Sequence, residues 1–133
     1  MNGRAVLANF LTAIAISLVL ASTAAARTVT VTEKNAGEEA ILERGNTLAV
    51  TLPTTSGTGY VWQVAKTDVA TLVPSGKPTF EHDEKAMPGA MWHQTFRFTA
   101  AAAGTVKLEL QYLRPWEKDT PPAKVFTLNV FVK

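Results

Sequence analysis

The sequence contains no cysteine. That excludes a disulfide framework, a thiol nucleophile and a lipidated N-terminal cysteine anchor. No twin arginine precedes the apolar N-terminal run. Histidine occurs only twice. His93 falls on the polar face of an expected strand and reads as a surface residue. His82-Asp83-Glu84 places metal-ligand types in a row, but adjacent strand residues point to opposite faces, so the three do not converge on one ion. Gly57-Thr58-Gly59 lacks the serine of a nucleophile elbow and the lysine of a phosphate-binding loop. Glu117 and Asp119 flank Lys118 with nothing to mark them as an acid/base pair. No basic block of the kind that binds nucleic acid is present. No window shows sustained helical periodicity, and no internal repeat stands out. The expectation is a protein that is not an enzyme, with no catalytic residue, no cofactor and no metal.

One apolar run does occur. Asn2-Gly3-Arg4 gives a short positive start, and Val6 to Leu20 is broken only by Asn9, Thr12 and Ser17. Ala21 to Ala26 is then a small-residue stretch. This is the pattern of a secretory signal peptide over residues 1–26, with cleavage after Ala26 or a residue or two earlier. The run is short of the ~20 residues of a membrane span and has no positive stop-transfer flank. A retained N-terminal anchor is the alternative. Cleavage after residue 26 of 133 leaves 107 residues, suited to one domain over residues 27–133. Arg4 leaves with the signal, so 13 basic residues become 12 against 11 acids, a net charge of +1. Such a domain is expected in the periplasm or secreted, as a monomer. Without disulfides its core must hold by burial alone.

The remaining chain alternates in short stretches. Thr28 to Thr32 is rich in β-branched residues and reads as a strand. Glu38 to Arg44 is either a short strand or one helical turn, with strand favoured. Leu48, Val50 and Leu52 alternate with polar or small residues until Pro53, which is expected to end the strand. Tyr60 to Val64 is a strand with Trp62 and Val64 on one face. Residues 67–78 read as irregular, with Val69, Leu72 and Val73 over the core edge. Thr79 to Glu84 reads as a short, exposed strand. Trp92, Gln94, Phe96 and Phe98 share a face opposite His93, Thr95 and Arg97. Val106, Leu108, Leu110 and Tyr112 alternate with polar residues. Phe126, Leu128, Val130 and Val132 form the inward face of a last strand. Several short alternating strands separated by turn signals argue an all-β, immunoglobulin-like antiparallel β-sandwich of about seven or eight strands. A small closed barrel is the runner-up.

The cleanest strand, 106–112, runs into Leu113-Arg114-Pro115-Trp116. Pro115 has no N–H and biases Arg114 away from helix, so pairing should stop there. Trp116 either folds back to cap the sandwich or stands out as an anchor, since Trp and Arg are enriched at interface hot spots. In a simple Greek-key order the loops at 54–60, 85–92 and 113–120 all emerge at one end.

Together these loops resemble those of the chagasin-like inhibitors of papain-family cysteine peptidases. Arg114-Pro115-Trp116 matches that family's third motif intact. Gly89-Ala90-Met91 stands where the family has Gly-x-Gly. Thr55-Ser56-Gly57-Thr58-Gly59-Tyr60 takes the place of Asn-Pro-Thr-Thr-Gly-Tyr/Phe, matching at Thr58, Gly59 and Tyr60. The resemblance implies an immunoglobulin-like sandwich whose three loops wedge into a papain-like peptidase cleft. It implies peptidase-binding residues Thr55, Ser56, Gly57, Thr58, Gly59, Tyr60, Gly89, Ala90, Met91, Trp92, Arg114, Pro115 and Trp116. Trp92 is a contact or a core residue, with contact favoured. Arg114 either pairs with an acid or braces the loop. Losing the first-loop proline and gaining Gly57 implies weaker or differently selective inhibition, with Trp116 carrying more of the affinity. The competing function is a non-inhibitory extracytoplasmic module that uses the same loops on another protein or a cell-surface ligand.

Overall fold

The alternation read from sequence becomes two facing sheets in the computed structural model, which describes residues 26–82 and 90–133. The strands are β1 (Thr28–Thr32), β2 (Glu39–Leu42), β3 (Thr47–Thr55), β4 (Val61–Lys66), β5 (Leu72–Pro74), β6 (Thr79–Glu81), β7 (Met91–Ala100), β8 (Gly104–Leu113) and β9 (Lys124–Val132). One sheet has the order β1-β3-β7-β5, with β6 also on β7; the other is β2-β9-β8-β4. Among the described residues no strand of one sheet pairs with a strand of the other, so the architecture is a sandwich and not a closed barrel. Most pairings are antiparallel. β1 joins β3, and β2 joins β9, in parallel.

The inward residues are those the period-2 pattern selects. Leu48, Val50 and Leu52 of β3 and Phe96 and Phe98 of β7 meet Val106, Leu108 and Leu110 of β8 and Phe126, Leu128 and Val130 of β9, all buried. Glu39–Leu42 is a strand, with Ala40 and Leu42 buried.

Three expectations need correction. β3 does not end at Pro53 but runs on to Thr55, paired with β7 throughout. Its other neighbour, β1, stops pairing at Thr51. Beyond that point β3 has one partner, and proline is tolerated as on an edge strand. Residues 67–78 are not wholly irregular, because Leu72–Pro74 pairs with Phe98–Ala100. Of the three residues expected over the core edge, Leu72 alone is buried; Val69 and Val73 are exposed. Val64 lies opposite the buried Leu110 as Trp62 lies opposite Tyr112, so it keeps the expected face, but near the end of an edge strand it stays 38% exposed.

The sheets are also joined by a side chain. β4 is an edge strand, and the Trp62 backbone is met from the opposite sheet by Gln94. Its Oε1 accepts from Trp62 N–H at 2.9 Å, and its Nε2 donates to Trp62 C=O at 3.0 Å. The buried amide completes the edge as a neighbouring strand would. Gln94→Ala is therefore expected to cost roughly 2–4 kcal/mol, because it orphans a buried donor and acceptor and opens a void. Equilibrium urea denaturation reads this directly; a loss under about 0.5 kcal/mol would show that the bridge is dispensable.

Candidate functional site

Register decides which loops meet. Thr55, the last residue of β3, lies opposite Met91, the first of β7. The chain therefore leaves β3 beside the point where the 82–90 connection arrives, and Ser56 N–H donates to Ala90 C=O at 3.4 Å. Val61, the first residue of β4, lies opposite Leu113, the last of β8. The Arg114-Pro115-Trp116 loop thus departs where the first loop returns. The 56–60 loop is central, with Ala90–Trp92 on one flank and the Arg114-Pro115-Trp116 loop on the other. Of the expected site residues, only Gly89 lies outside the described residues.

The central loop is built from local hydrogen bonds and two left-handed glycines. Gly57 and Gly59 have φ of 82° and 80°, a region that side chains rarely adopt. Between them Thr58 Oγ1 donates to Thr55 C=O at 2.9 Å and accepts from Tyr60 N–H at 3.3 Å. Thr54 Oγ1 donates to Tyr60 C=O at 3.1 Å and so ties the two ends of the loop. At the root, Tyr112 Oη accepts from Thr55 N–H at 3.2 Å and shares a hydrogen bond with Thr54 Oγ1 at 3.1 Å. Burial opposes ionisation of this phenol. Hydrogen bonding with Thr54, with the Thr55 N–H and with Thr58, together with the charge of Lys124, outweighs it and holds the group below its usual value. The Tyr60 ring stacks on Tyr112 at 5.2 Å, and Trp62 packs against Tyr112 at 5.0 Å.

The third loop grips the first through Arg114. Its Nε donates to Thr58 C=O at 3.0 Å, and its guanidinium lies 4.5 Å from the centre of the Tyr60 ring. Glu117 adds an ion pair at 4.0 Å. Arg114 thus does both things expected of it; the bond to the loop is the closer contact. Arg114→Ala is expected to leave global stability within about 1 kcal/mol, since the site is part-exposed. The amides of residues 57–60 should nevertheless exchange about tenfold faster by NMR hydrogen exchange, and unchanged exchange would show that Arg114 does not brace the loop.

Trp116 does not cap the core. It is 65% exposed. Its six-membered ring rests on Gly59, where a Cβ would overlap Cη2 and stand 3.1 Å from Cζ2. On the opposite flank Met91 is exposed and Trp92 is partly buried, its ring centre 4.0 Å from that of His82. Trp92 is therefore neither a core residue nor a fully open one. Sequence reasoning placed Tyr112 on the inward face but missed its hydroxyl at the loop root. It also missed Phe80, a ring 48% exposed beside the first loop; the signal was an aromatic in a strand already expected to be exposed. Among the described residues no group of three acidic, histidine or cysteine side chains could hold a metal ion.

A family model described as "Chagasin family peptidase inhibitor I42" matches residues 41–130. A comparison with curated protein sequences returns no match. Among solved structures, the chain is similar to the cysteine protease inhibitor EhICP2 from Entamoeba histolytica. The two are 22% identical over 84% of this chain and 100% of that one, with a TM-score of 0.72. It is similar to Amebosin in its solution structure, 24% identical over 83% of this chain and 100% of that one, with a TM-score of 0.61. It is also similar to PbICP-C, solved in complex with falcipain-2, 16% identical over 84% and 95% of the two chains, with a TM-score of 0.54. At these identities the likeness to solved structures is one of fold.

Proposed function

The chain belongs to the chagasin family of peptidase inhibitors, and from that premise we propose that it is a reversible, tight-binding inhibitor of papain-like cysteine peptidases. The first loop enters the active-site cleft, and the other two loops lie along its walls. Such an inhibitor needs no chemistry of its own. A peptidase cuts when a carbonyl sits ~3–3.5 Å from its nucleophile with orbitals aligned. The Ser56-Gly57-Thr58-Gly59 tip has no bulky side chain to keep a thiol away, and Gly57 and Gly59 are both exposed. One carbonyl of the tip and the carbonyl on either side of it, however, are held by the inhibitor's own groups. Thr55 C=O is held by Thr58, Thr58 C=O by Arg114 and Tyr60 C=O by Thr54. A loop held so firmly approaches the thiol without relaxing into attack geometry.

The observation that carries this reading is the central loop itself, glycine-tipped, braced by Arg114 and flanked by Trp116 on one side and Trp92 on the other. The peptidase-binding set is then Thr55 to Tyr60, Ala90 to Trp92 and Arg114 to Trp116, with Gly89 in the undescribed part of the second loop. Residues 1–26, read as a secretory signal, support action outside the cytoplasm, and the domain is taken to act there as a monomer.

Titration of papain with the purified protein, following hydrolysis of a fluorogenic peptide, tests the proposal. Stoichiometric, reversible loss of activity with the inhibitor uncut on a gel is expected. No inhibition at micromolar protein, of papain or of a cathepsin-like enzyme of different specificity, would overturn it and leave the loops as a module for another partner.

A further inference from the structure

The sandwich does not close at its loop end. Thr54 of β3 pairs with Trp92 of β7, and Phe80 of β6 pairs with Gln94, one step along the same face. Alternation puts Thr54, Trp92, Gln94 and Phe80 on the inner side of their sheet. Gln94 is buried because Trp62 of the opposite sheet covers it. One layer further out, nothing among the described residues covers Phe80 in the same way. The result is a notch of about 250 Å³ between the sheets, walled by Phe80 and Trp92 on one side and by Tyr60 and Val61 on the other, with the root of the first loop at its rim. It is the hydrophobic layer of the core, continued to the surface and, among the described residues, left unfilled. It lies on the opposite flank of the first loop from Trp116.

We infer that this notch is a second anchor point, and that it receives an apolar side chain from the wall of the peptidase cleft. The inference rests on the inhibitory reading above. Thr55, Ser56 and Gly57 form part of the rim, so a cleft that encloses the first loop must also lie against the notch. The chemistry of the occupant follows from the lining. No lining residue among those described is ionisable at neutral pH, and a charged group would be desolvated there without a partner. The volume is below the ~300–1,000 Å³ of small-molecule pockets, so it suits one side chain better than a free ligand. Phe80, an aromatic outside the three loops, is the residue that sets the width of the notch. It is therefore a specificity determinant: peptidases with an aliphatic or aromatic residue at that wall are bound, and those with a charged one are disfavoured.

The test is inhibition of papain by the full chain carrying Phe80→Ala or Phe80→Leu, beside the unaltered protein, with thermal melts of all three. Phe80→Ala is expected to raise the inhibition constant about tenfold at an unchanged melting midpoint, and Phe80→Leu, which still fills the wall, to stay within about threefold. If the unaltered protein inhibits and both variants match it within about twofold, the notch is not an anchor and the inference falls alone. If the alanine variant loses inhibition only in step with a lowered midpoint, and the leucine variant behaves as wild type, Phe80 serves the fold and the inference falls. If the unaltered protein does not inhibit, the inhibitory reading falls and takes the assigned occupant with it.

Discussion

Trp116→Ala is expected to raise the inhibition constant against papain about a hundredfold, equivalent to ~2.8 kcal/mol, while the fold stays intact. The two halves of that expectation have separate grounds. Trp116 is 65% exposed and its ring rests on the surface of Gly59, so truncation removes no part of the core. Surface changes of that kind stay within about 0.5 kcal/mol of wild-type stability. In the complex the same ring would be desolvated on both faces, Gly59 on one and the cleft wall on the other, which is the setting of an interface hot spot. Had the tryptophan been an end cap, the loss would have fallen on stability and not on binding. Melting midpoints and inhibition constants on one preparation separate the two. A change in the inhibition constant below about twofold would end the idea that Trp116 carries most of the affinity.

The fold was legible where one sheet face is buried and the other wet. β8 and β9 read correctly, residue by residue, because alternation of Phe, Leu and Val with Lys, Thr and Gln has one physical cause; β7 keeps the expected faces, but Thr95 on its polar face is buried. Reading failed where a neighbour decides the outcome. Pro53 ends a strand flanked on both sides but not one that has lost β1, and nothing local to Pro53 reports where β1 stops. Leu72–Pro74 is too short to show a period; it is a strand because Phe98–Ala100 offers it a partner. Val64 keeps the Trp62 face that alternation assigns, opposite Leu110, but β4 is an edge strand and leaves it exposed, which the local pattern does not report.

The site was legible in outline for a related reason. Arg-Pro-Trp after a clean strand and a glycine-rich turn before another are local signals, and loops at alternate strand ends must gather at one end of a sandwich. Which loop is central was not legible, since it depends on Thr55 facing Met91 and Val61 facing Leu113. Nor was the reach of Arg114 across 56 positions to Thr58 C=O. Substituting serine and glycine where the family has proline and threonine suggested a looser first loop. The structure compensates: Thr58, Thr54, Tyr112 and Arg114 each fix a backbone group in or beside the 55–60 stretch. Stiffness that proline would supply comes here from Thr58 within the loop and from Thr54, Tyr112 and Arg114 outside it, which composition alone does not reveal.

Gly59→Ala is expected to weaken inhibition about thirtyfold, and the reason is its neighbour more than its own backbone. Two effects are combined. A non-glycine residue at φ of 80° carries roughly 1–2 kcal/mol of strain. The new methyl would also overlap the Trp116 ring, which must leave its seat. Gly57→Ala separates them. Its φ is 82°, and nothing lies within 4 Å of a Cβ there. It should show the same loss of stability from strain, of the order of 1–2 kcal/mol, with Trp116 fluorescence unchanged. Gly59→Ala should show that loss together with altered emission from the displaced ring. A double-mutant cycle then assigns the effect on binding. In the Trp116→Ala background there is no ring to displace, and Gly59→Ala should cost only its strain, about fivefold instead of about thirtyfold. Equal costs in the two backgrounds would mean that Gly59 acts through its backbone alone. A cost that shrinks when the tryptophan is absent would mean that the glycine is there to seat the ring, and that the first and third loops bind as one unit.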